Sequence, residues 1–263
     1  MEIPPTGDTR VLITATVNRA HHNDEPGNMP GINSLFEDLY IDVRRQEKRV
    51  YSDCELMFLP DIDPSHIHYK EWQTRKHSSQ RLINYLSKKS KPLNILEVGC
   101  GNGWLSSKLS AIKNTEVIGL DINHIEIMQA QRVFKKDNLE FVCDSFSPEL
   151  FDGIKFDIIL FAASIQYFPS VKNILQNTFK CLAASGEIHI MDSPFYNPDD
   201  ISGAMVRAKE YFAMLDCPEM AGYYFYHSLN KLKQFKYKIL ANPAGILNLI
   251  GKKDTFYWIS VTN

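Results

Sequence analysis

Short apolar runs rich in β-branched residues alternate with longer amphipathic stretches from about Pro92 onward. This alternation is typical of βαβ units, in which parallel strands are joined by helices that cover the sheet. Gly186 follows the third amphipathic stretch, and we expect it to end that helix and begin the fifth strand. The predicted strands are Asn94–Val98, Glu116–Leu120, Leu139–Val142, Phe156–Phe161 and Gly186–Met191, and the predicted helices are Trp104–Ile112, His124–Lys136 and Val171–Leu182.

The pattern changes after Asp192. A predicted helix near Asp200–Leu215 and the aromatic stretch Tyr223–His227 precede two strand-like runs, Phe235–Leu240 and Thr255–Val261. Two sequential strands without a convincing crossover helix favour an antiparallel pair at one edge of the sheet, with the lysines of the first run facing water. The chain is therefore predicted to form a doubly wound, Rossmann-like α/β fold with seven strands, mostly parallel.

The first 75 or so residues do not follow this alternation. A turn-rich stretch, His21–Gly31, precedes a capping box at Ser34–Glu37, which predicts a helix to about Arg49. A second helix is predicted over Ser65–Lys88. We interpret residues 1–75 as a helical lid on a domain formed by residues 76–263, with a substrate-side insert at about 193–234.

The charge balance constrains the partners. Lysine and arginine total 29 against 31 aspartate and glutamate, for a formal net charge of -2. Such a chain has no long-range positive field to attract nucleic acid or an anionic membrane. Its apolar runs are too short for a transmembrane span, and Glu2 and Asp8 do not suit a signal peptide. We expect neither a nucleic-acid nor a membrane partner, and the oligomeric state stays open.

The five cysteines are scattered and form no Cys-x-x-Cys pair. An odd number of dispersed cysteines suits reduced thiols in a cytoplasmic protein and argues against disulfides and structural zinc. His66 and His68 lie near Asp61 and Asp63, but no further ligands follow at an established spacing. We therefore expect no metal site.

The segment Ile95–Gly103 joins an apolar strand to three alternating glycines, Gly99, Gly101 and Gly103. Glycines at such a turn let the backbone bend sharply and approach a ligand closely. The spacing differs from the nicotinamide and flavin fingerprint, because Trp104 stands where that fingerprint requires its third glycine. The phosphate-binding loop that ends in Gly-Lys-Ser/Thr is also missing, so the segment favours a different ligand.

This segment resembles motif I of the class I S-adenosylmethionine-dependent methyltransferases, whose core is Glu-x-Gly-x-Gly-x-Gly. Two further family landmarks follow in order, since Asp121 ends the second predicted strand and Asp144 follows the third. The resemblance covers roughly Arg75–Asn263 and includes Phe156–Leu160 of the fourth strand. It implies S-adenosylmethionine as the cofactor, with Asp121 accepting the ribose hydroxyls and Asp144 receiving the adenine amino hydrogens. Capping of the following turn is the alternative role for Asp144.

The predicted helix before the first strand resembles the cofactor-covering helix of related enzymes. Arg75 on this helix is expected to pair with the methionine carboxylate of the cofactor, with a surface ion pair as the alternative. The cofactor-binding residues implied by the resemblance are Glu97, Gly99, Cys100, Gly101, Asn102, Gly103, Asp121, Ile122, Asp144, Ser145, Ala163 and Arg75.

The loop after the fourth strand should border both the cofactor and the acceptor. Gln166 and Tyr167 in this loop are candidate acceptor contacts, whereas Ile165 and Phe168 are expected to pack in the core. His227 is a candidate general base for a hydroxyl acceptor, because histidine titrates near neutrality. The alternative for His227 is a packed structural role.

Aromatic residues are frequent in the insert after the fifth strand. They suit an apolar acceptor pocket, and core packing is the alternative. His189, inside the fifth predicted strand, is expected to be a core histidine with its hydrogen bonds satisfied. The aromatic candidates are Tyr211, Phe212, Tyr223, Tyr224, Phe225 and Tyr226.

The resemblance implies methyl transfer, and the leading hypothesis is transfer to a small molecule. The acceptor atom must be held in line with the methyl group, and this orientation accounts for much of the rate. Methylation of RNA or protein is a second hypothesis, which the charge disfavours. A binding subunit that has lost catalysis is a third, because intact cofactor landmarks are compatible with it.

Overall fold

The computed structural model describes residues 34–245 and 254–263. One seven-stranded sheet forms the centre, with the order β3-β2-β1-β4-β5-β7-β6. The strands are β1 (Leu93–Val98), β2 (Thr115–Asp121), β3 (Leu139–Cys143), β4 (Phe156–Ala162), β5 (Leu182–Met191), β6 (Lys236–Ala241) and β7 (Trp258–Thr262). The helices are α1 (Ser34–Gln46), α2 (Asp53–Phe58), α3 (Tyr69–Leu86), α4 (Trp104–Leu109), α5 (His124–Val133), α6 (Val171–Cys181) and α7 (Ile201–Met214).

The sheet confirms the predicted doubly wound α/β fold. Strands β1 to β5 are mutually parallel, and the strand order reverses between β1 and β4. Strand β7 is antiparallel to both β5 and β6, so β6 forms the outer edge and β7 lies one place inside it. Lys236 and Lys238 on β6 are exposed, as expected for an edge strand.

Buried apolar side chains cover both faces of the sheet, because alternate residues of a strand point to opposite sides. On β1, Leu96 and Val98 belong to one cluster and Leu93 and Ile95 to the other. Helices α3 and α4 close the second face, where the rings of Trp72 and Trp104 meet edge to face at 5.2 Å. The expected lid boundary near residue 75 falls inside α3.

The predicted boundary between the third helix and the fifth strand at Gly186 is wrong. Helix α6 ends at Cys181 and β5 begins at Leu182, so Gly186 lies inside the strand rather than at its start. The pairing with β4 shifts register there, and a Cβ on Gly186 would meet the Leu182 side chain at 2.8 Å. The glycine therefore permits a close approach of side chain and backbone at a register shift inside the strand. In sequence, a glycine of this kind looks like a strand boundary.

The predicted helix Ser65–Lys88 begins later, at Tyr69. The Asp63 carboxylate accepts hydrogen bonds from the Ser65 amide and hydroxyl, which holds the chain in a turn instead. The capping box that the structure shows is Ser52–Glu55, at the start of α2. The stretch His21–Gly31 and the side chain of Ser34 lie outside the described residues.

Within residues 34–245 and 254–263, no helix is both long and apolar enough to cross a membrane.

His189 has the satisfied core environment that was predicted: it is fully buried, its Nε2 lies 3.0 Å from Glu187, and the Trp258 indole donates to its Nδ1 at 3.0 Å.

Candidate functional site

The three glycines of the loop after β1 all adopt left-handed backbone angles. The φ values are +76° at Gly99, +54° at Gly101 and +74° at Gly103. A Cβ at Gly99 would lie 2.5 Å from the Ser164 Cβ, and one at Gly103 would lie 2.4 Å from the Phe141 ring. Both conformation and space therefore require glycine, and the loop brings bare backbone to the carboxyl end of β1.

The loop lies at the point where the strand order reverses between β1 and β4. Open α/β sheets bind ligands at such a point, in the crevice beyond the carboxyl ends of the strands. The Ser164 hydroxyl ties the loop after β4 to the end of β1 by donating to the Val98 carbonyl at 2.6 Å. Ala163 is held at φ +55° beside it, and its amide donates to the Met191 carbonyl at 2.9 Å.

A cavity of ≈ 720 Å³ opens beyond these strand ends. We call the part of its lining formed by Glu97 and Gly99–Asn102, with Asp121 behind it, the floor. We call the part formed by Tyr40 and Arg44 of α1 with Tyr167 and Tyr224 the roof. The predicted residues that line the cavity are Arg75, Glu97, Gly99, Cys100, Gly101, Asn102, Ala163, Gln166 and Tyr167.

Asp121, at the end of β2, organises the floor from behind. Its Oδ2 accepts from the Gly101 amide at 2.8 Å, and its Oδ1 accepts from the Asn123 amide at 2.9 Å. Burial raises the pKa of Asp121, and these backbone hydrogen bonds oppose the rise. An ionised carboxylate has about four acceptor positions, so two remain for another donor pair.

Glu97 is the buried acidic residue of the floor. It is only 2% exposed, and its Oε2 accepts from the Ser106 hydroxyl at 2.5 Å. Burial raises the pKa of Glu97 to about 8, although Ser106 counteracts the effect. A second acceptor oxygen remains for a ligand donor, and a cationic donor would favour the ionised form.

Arg75 reaches the cavity from α3. Its Nε is 3.0 Å from Glu71 Oε1, and its guanidinium lies 5.5 Å from the Trp72 ring centre. Its charge lowers the pKa of Glu97 and is the leading force opposing the burial-driven rise at Asp192. The structure therefore shows the ion pair of the alternative interpretation, but places it at the cavity wall.

Five predicted cofactor residues lie outside the cavity lining. The Asp144 amide donates to the Asp121 carbonyl at 3.0 Å, and its Oδ1 accepts from the Ser145 amide at 2.6 Å. The strand ends of β2 and β3 are thus joined side by side, although Asp144 also makes the turn contact of its alternative role. The five are Gly103, Asp121, Ile122, Asp144 and Ser145.

The loop after β4 supplies two predicted acceptor contacts. Gln166 is buried, its Nε2 donates to the Ala163 carbonyl at 2.6 Å, and its Oε1 has no hydrogen-bond partner in the described chain. The Tyr167 ring packs against Tyr40 and Tyr224 at 5.9 Å and 6.0 Å. Both residues border the cavity, so the geometry agrees with a ligand-contacting role for this loop.

His227 is not among the residues that line the cavity. It is 5% exposed, and its Nε2 lies 3.2 Å from the Ile165 carbonyl oxygen. Burial lowers the pKa of His227. The imidazole therefore supports the loop that carries Gln166 and Tyr167 from behind.

The aromatic residues of the insert divide between the cavity and the core. Tyr224 lines the cavity together with Tyr196, while Phe212 is buried with Val43 and Met220. The Tyr211 hydroxyl donates to Glu47 of the segment after α1. Of the aromatic candidates, Phe212 therefore has the core packing of the alternative interpretation, whereas Tyr224 borders the cavity and its role toward an acceptor stays a prediction.

Several polar residues of the cavity had not been predicted, among them Tyr40, Arg44, Glu126 and Asp192. Glu126 lies in the first turn of α5, and acidic residues there usually only complement the helix dipole. Here its side chain is buried, its Oε2 has no partner within the described residues, and burial raises its pKa to about 7. The i, i+4 spacing of Tyr40 and Arg44 on a predicted helix was the available signal for a shared face.

The described residues contain no group of three or more His, Cys, Asp or Glu side chains arranged to hold a metal ion. His68 lies instead with its Nε2 2.6 Å from the Glu47 carbonyl oxygen, and His66 Nδ1 accepts from the His68 amide at 3.1 Å. All five cysteines are free thiols.

Residues 95–186 match the family model of a methyltransferase domain. Among curated proteins, a malonyl-[acyl-carrier protein] O-methyltransferase of Bacillus cytotoxicus is 28% identical over 142 residues, which is 52% of this chain and 49% of that protein. A sterol 24-C-methyltransferase of Saccharomyces cerevisiae is 23% identical over 214 residues, or 68% of this chain and 56% of that protein. The chain spans about half the length of the curated relatives that it matches.

Two solved structures share the fold. The plantazolicin methyltransferase BpumL in complex with SAH aligns with a TM-score of 0.52 at 18% identity, covering 86% of this chain and 99% of that one. The magnesium protoporphyrin IX methyltransferase of Synechocystis with bound SAH aligns with a TM-score of 0.54 at 13% identity, covering 88% and 97%.

Proposed function

We propose that this chain, which carries a class I S-adenosylmethionine-dependent methyltransferase domain, transfers the methyl group of its cofactor to a small molecule held in the same cavity. The single observation that carries the proposal is the ≈ 720 Å³ cavity itself, which joins the glycine loop to the loop after β4. A cavity of this size falls within the usual range for small-molecule sites.

The floor fits the cofactor. The glycines bring bare backbone to the cavity, and Asp121 retains acceptor positions that suit the paired hydroxyls of a ribose. Glu97 and Arg75 supply one acidic and one cationic group at the wall, which suits the ammonium and carboxylate of the methionine part. Asp144 is the proposed partner of the adenine amino group, since it follows β3 beside the end of β2.

The sulfonium of the bound cofactor supplies an activated methyl group, so the protein contributes position and exclusion of water. Gln166 and Tyr167 border the cavity after β4 and are the proposed acceptor contacts. The unpartnered Gln166 Oε1 is suited to accept a hydrogen bond from the acceptor. Tyr196 and Tyr224 contribute aromatic rings to the lining of the cavity.

A hydroxyl acceptor would require a base, and His227 remains the proposed one. Its Nε2 lies against the Ile165 carbonyl, so catalysis by His227 requires that contact to break and the ring to turn toward the cavity. Acceptors that carry no proton at the attacking atom would not require this step.

The curated relatives support a small acceptor. By name they methylate malonyl-[acyl-carrier protein] and sterols, and another, from Pelagibacter ubique, is a ubiquinone biosynthesis O-methyltransferase. The formal charge of -2 disfavours an RNA acceptor. The free cysteines support a reducing, cytoplasmic compartment, which we propose on that ground.

Transfer of a radiolabelled methyl group distinguishes the alternatives. The protein is incubated with labelled S-adenosylmethionine and a cell extract, and the products are separated into low-molecular-mass, RNA and protein fractions. We expect label in the low-molecular-mass fraction. Label confined to RNA, or bound to protein and not released when carrier thioesters are cleaved, would overturn the small acceptor, and cofactor binding without any transfer would identify a silent binding subunit.

A further inference from the structure

The roof of the cavity contains a cation that forms no ion pair with the residues that the structure describes. Arg44, on α1, lines the cavity, and its Nε is buried without a hydrogen-bond partner. No hydrogen bond or ion pair joins its guanidinium to any residue of 34–245 or 254–263. A desolvated charge without a partner is costly, and functional sites commonly retain such groups for a ligand.

The neighbouring arginines are occupied. Arg49 lies 2.5 Å from Glu71 and 3.0 Å from Glu47, and Arg75 lies 3.0 Å from Glu71. Arg45, the next residue on α1, is exposed and pairs with Asp42 at 2.8 Å. Arg49 Nε, like Arg44 Nε, is buried without a hydrogen bond, but Arg44 differs from all three in forming no ion pair with the described residues.

One aromatic ring lies beside this cation and belongs to a cluster of tyrosines. The guanidinium carbon lies 5.8 Å from the Tyr40 ring centre, and Tyr40 packs edge to face with Tyr167 at 5.9 Å. Tyr224 extends the wall, with its ring 6.0 Å from that of Tyr167. A ligand group next to Arg44 is thus flanked by flat apolar surface on the acceptor side of the cavity.

Glu126 is the acidic residue with the largest electrostatic effect on Arg44, but it does not form an ion pair with it. Glu126 attracts Arg44 electrostatically, but burial is the dominant influence on Glu126 and raises its pKa to about 7. Its Oε2 has no hydrogen-bond partner among the described residues, so the two side chains share an environment without closing a salt bridge. A ligand carboxylate or phosphate would provide the planar, bidentate contact that suits a guanidinium.

We propose that Arg44 anchors an anionic group, a carboxylate or phosphate, on an acceptor whose aromatic or flat apolar body packs against Tyr40, Tyr167 and Tyr224. This inference rests on the proposed function, because it assigns the substrate class of the same cavity. It places the charged end of the acceptor at the roof and leaves the rest of the molecule directed toward the floor.

The test uses calorimetry on the full chain and begins with S-adenosylhomocysteine alone. We expect Arg44→Gln to bind it within about twofold of wild type, because Arg75 is the proposed partner of its carboxylate. A large loss in Arg44→Gln would assign Arg44 to the carboxylate of the cofactor and overturn the acceptor role. No binding to the wild-type protein would instead overturn the proposed function, which keeps the two failures distinguishable.

The second stage titrates 4-hydroxybenzoate, phenyl phosphate and the uncharged 4-hydroxybenzamide into protein saturated with S-adenosylhomocysteine. Wild type should prefer an anionic probe over the amide by roughly 10- to 100-fold, as expected for charge-assisted hydrogen bonds. Arg44→Gln should abolish the preference, Arg44→Lys should retain part of it, and the matched control Arg45→Gln should leave it unchanged.

Three results would overturn the proposal: no preference for an anion in wild type, an unchanged preference in Arg44→Gln, or equal losses in Arg44→Gln and Arg45→Gln. Circular dichroism and thermal melting verify that each variant is folded. If Arg44→Gln does not fold, the comparison of Arg44→Lys with wild type decides, because it keeps the charge but loses the two-donor geometry.

Discussion

The floor of the cavity is braced by backbone hydrogen bonds to Asp121, whereas the roof contains a buried guanidinium nitrogen that has no hydrogen-bond partner among the described residues. Asp121 accepts from the amides of Gly101 and Asn123, close by in the structure and in two adjacent loops. Arg44 Nε has no hydrogen-bond partner in the described chain, and neither does Gln166 Oε1. In the proposed function, the floor holds the cofactor and the acceptor completes the roof.

This difference has an electrostatic counterpart. The acidic residues of the floor and its edge are held partly neutral, because burial raises the pKa of Glu97 to about 8 and that of Glu126 to about 7. The roof keeps its guanidinium charged, since burial is outweighed by nearby tyrosine and glutamate groups that raise the pKa of Arg44. The roof therefore favours an anionic ligand group, whereas a cationic group bound at the floor would favour the ionised form of Glu97.

The largest expected effect is the loss of stability when a side chain is added to the glycine loop. Gly103→Ala should destabilise the protein by about 3 kcal/mol or more, because it combines a positive φ with a Cβ 2.4 Å from Phe141. Gly153→Ala is the matched control: its φ is +79°, but a Cβ there would meet nothing within 4 Å, so about 1 kcal/mol is expected. Urea unfolding measures both, and equal losses would show that space around the loop does not matter.

The next effect separates the ligands of the two regions. Asp121→Ala should weaken binding of S-adenosylhomocysteine by roughly 2 to 4 kcal/mol, because the ribose hydroxyls would lose a charged acceptor. Glu116→Gln, near the other end of β2, should bind normally. Calorimetry on both folded variants makes the comparison. An unchanged dissociation constant for Asp121→Ala would mean that another residue holds the ribose.

Substitution of His227 tests whether this residue, which contacts the loop after β4, also takes part in catalysis. If it serves as the base for a hydroxyl acceptor, His227→Ala and His227→Gln should lower turnover by ~10²-fold while cofactor affinity is kept. The pH profile of turnover adds a second readout, because loss of a base also removes its titration. Near-normal turnover in both variants would restrict His227 to its contact with the Ile165 carbonyl.

The smallest effect concerns stability as a function of pH. Glu97 and Glu126 have folded-state pKa values raised to about 8 and about 7, above their ordinary value of 4.5. Between pH 5 and 8 the folded state therefore binds more protons than the unfolded chain, so the free energy of unfolding should fall as the pH rises. Glu97→Gln should flatten this slope in urea titrations, and Glu116→Gln should not. Burial lowers the pKa of His189 and His227, which opposes the fall in this pH range, so the test is the difference between variants: a slope that Glu97→Gln leaves unchanged would contradict the buried, partly protonated floor.

The sequence predicted the floor well because its signals are local. The strand, the three glycines and Asp121 occur in a fixed order, and each glycine is required by a backbone angle that the loop itself imposes. The fold, the antiparallel edge and the core environment of His189 followed from periodicity in the same way.

The roof was predicted only in part because it depends on contacts between distant segments. Tyr40 and Arg44 belong to a helix whose start was predicted by a capping box but whose tertiary contacts were not, and Tyr40 meets Tyr167 only through packing of that helix on the sheet domain. Glu126 resembled an ordinary helix-start acid, and its burial is not evident from spacing. The boundary at Gly186 failed for a related reason, since a close approach within β5 looks like a turn in sequence.

The most direct test of the central claim is a calorimetric titration of the wild-type protein with S-adenosylhomocysteine and, separately, with NAD. We expect saturable binding of S-adenosylhomocysteine at one site per chain and no response to NAD, because Trp104 replaces the third glycine of a dinucleotide loop and Asp121 and Glu97 complete the floor for the sulfur compound. Binding of NAD without any response to S-adenosylhomocysteine would contradict the assignment of the floor, and with it the proposed activity.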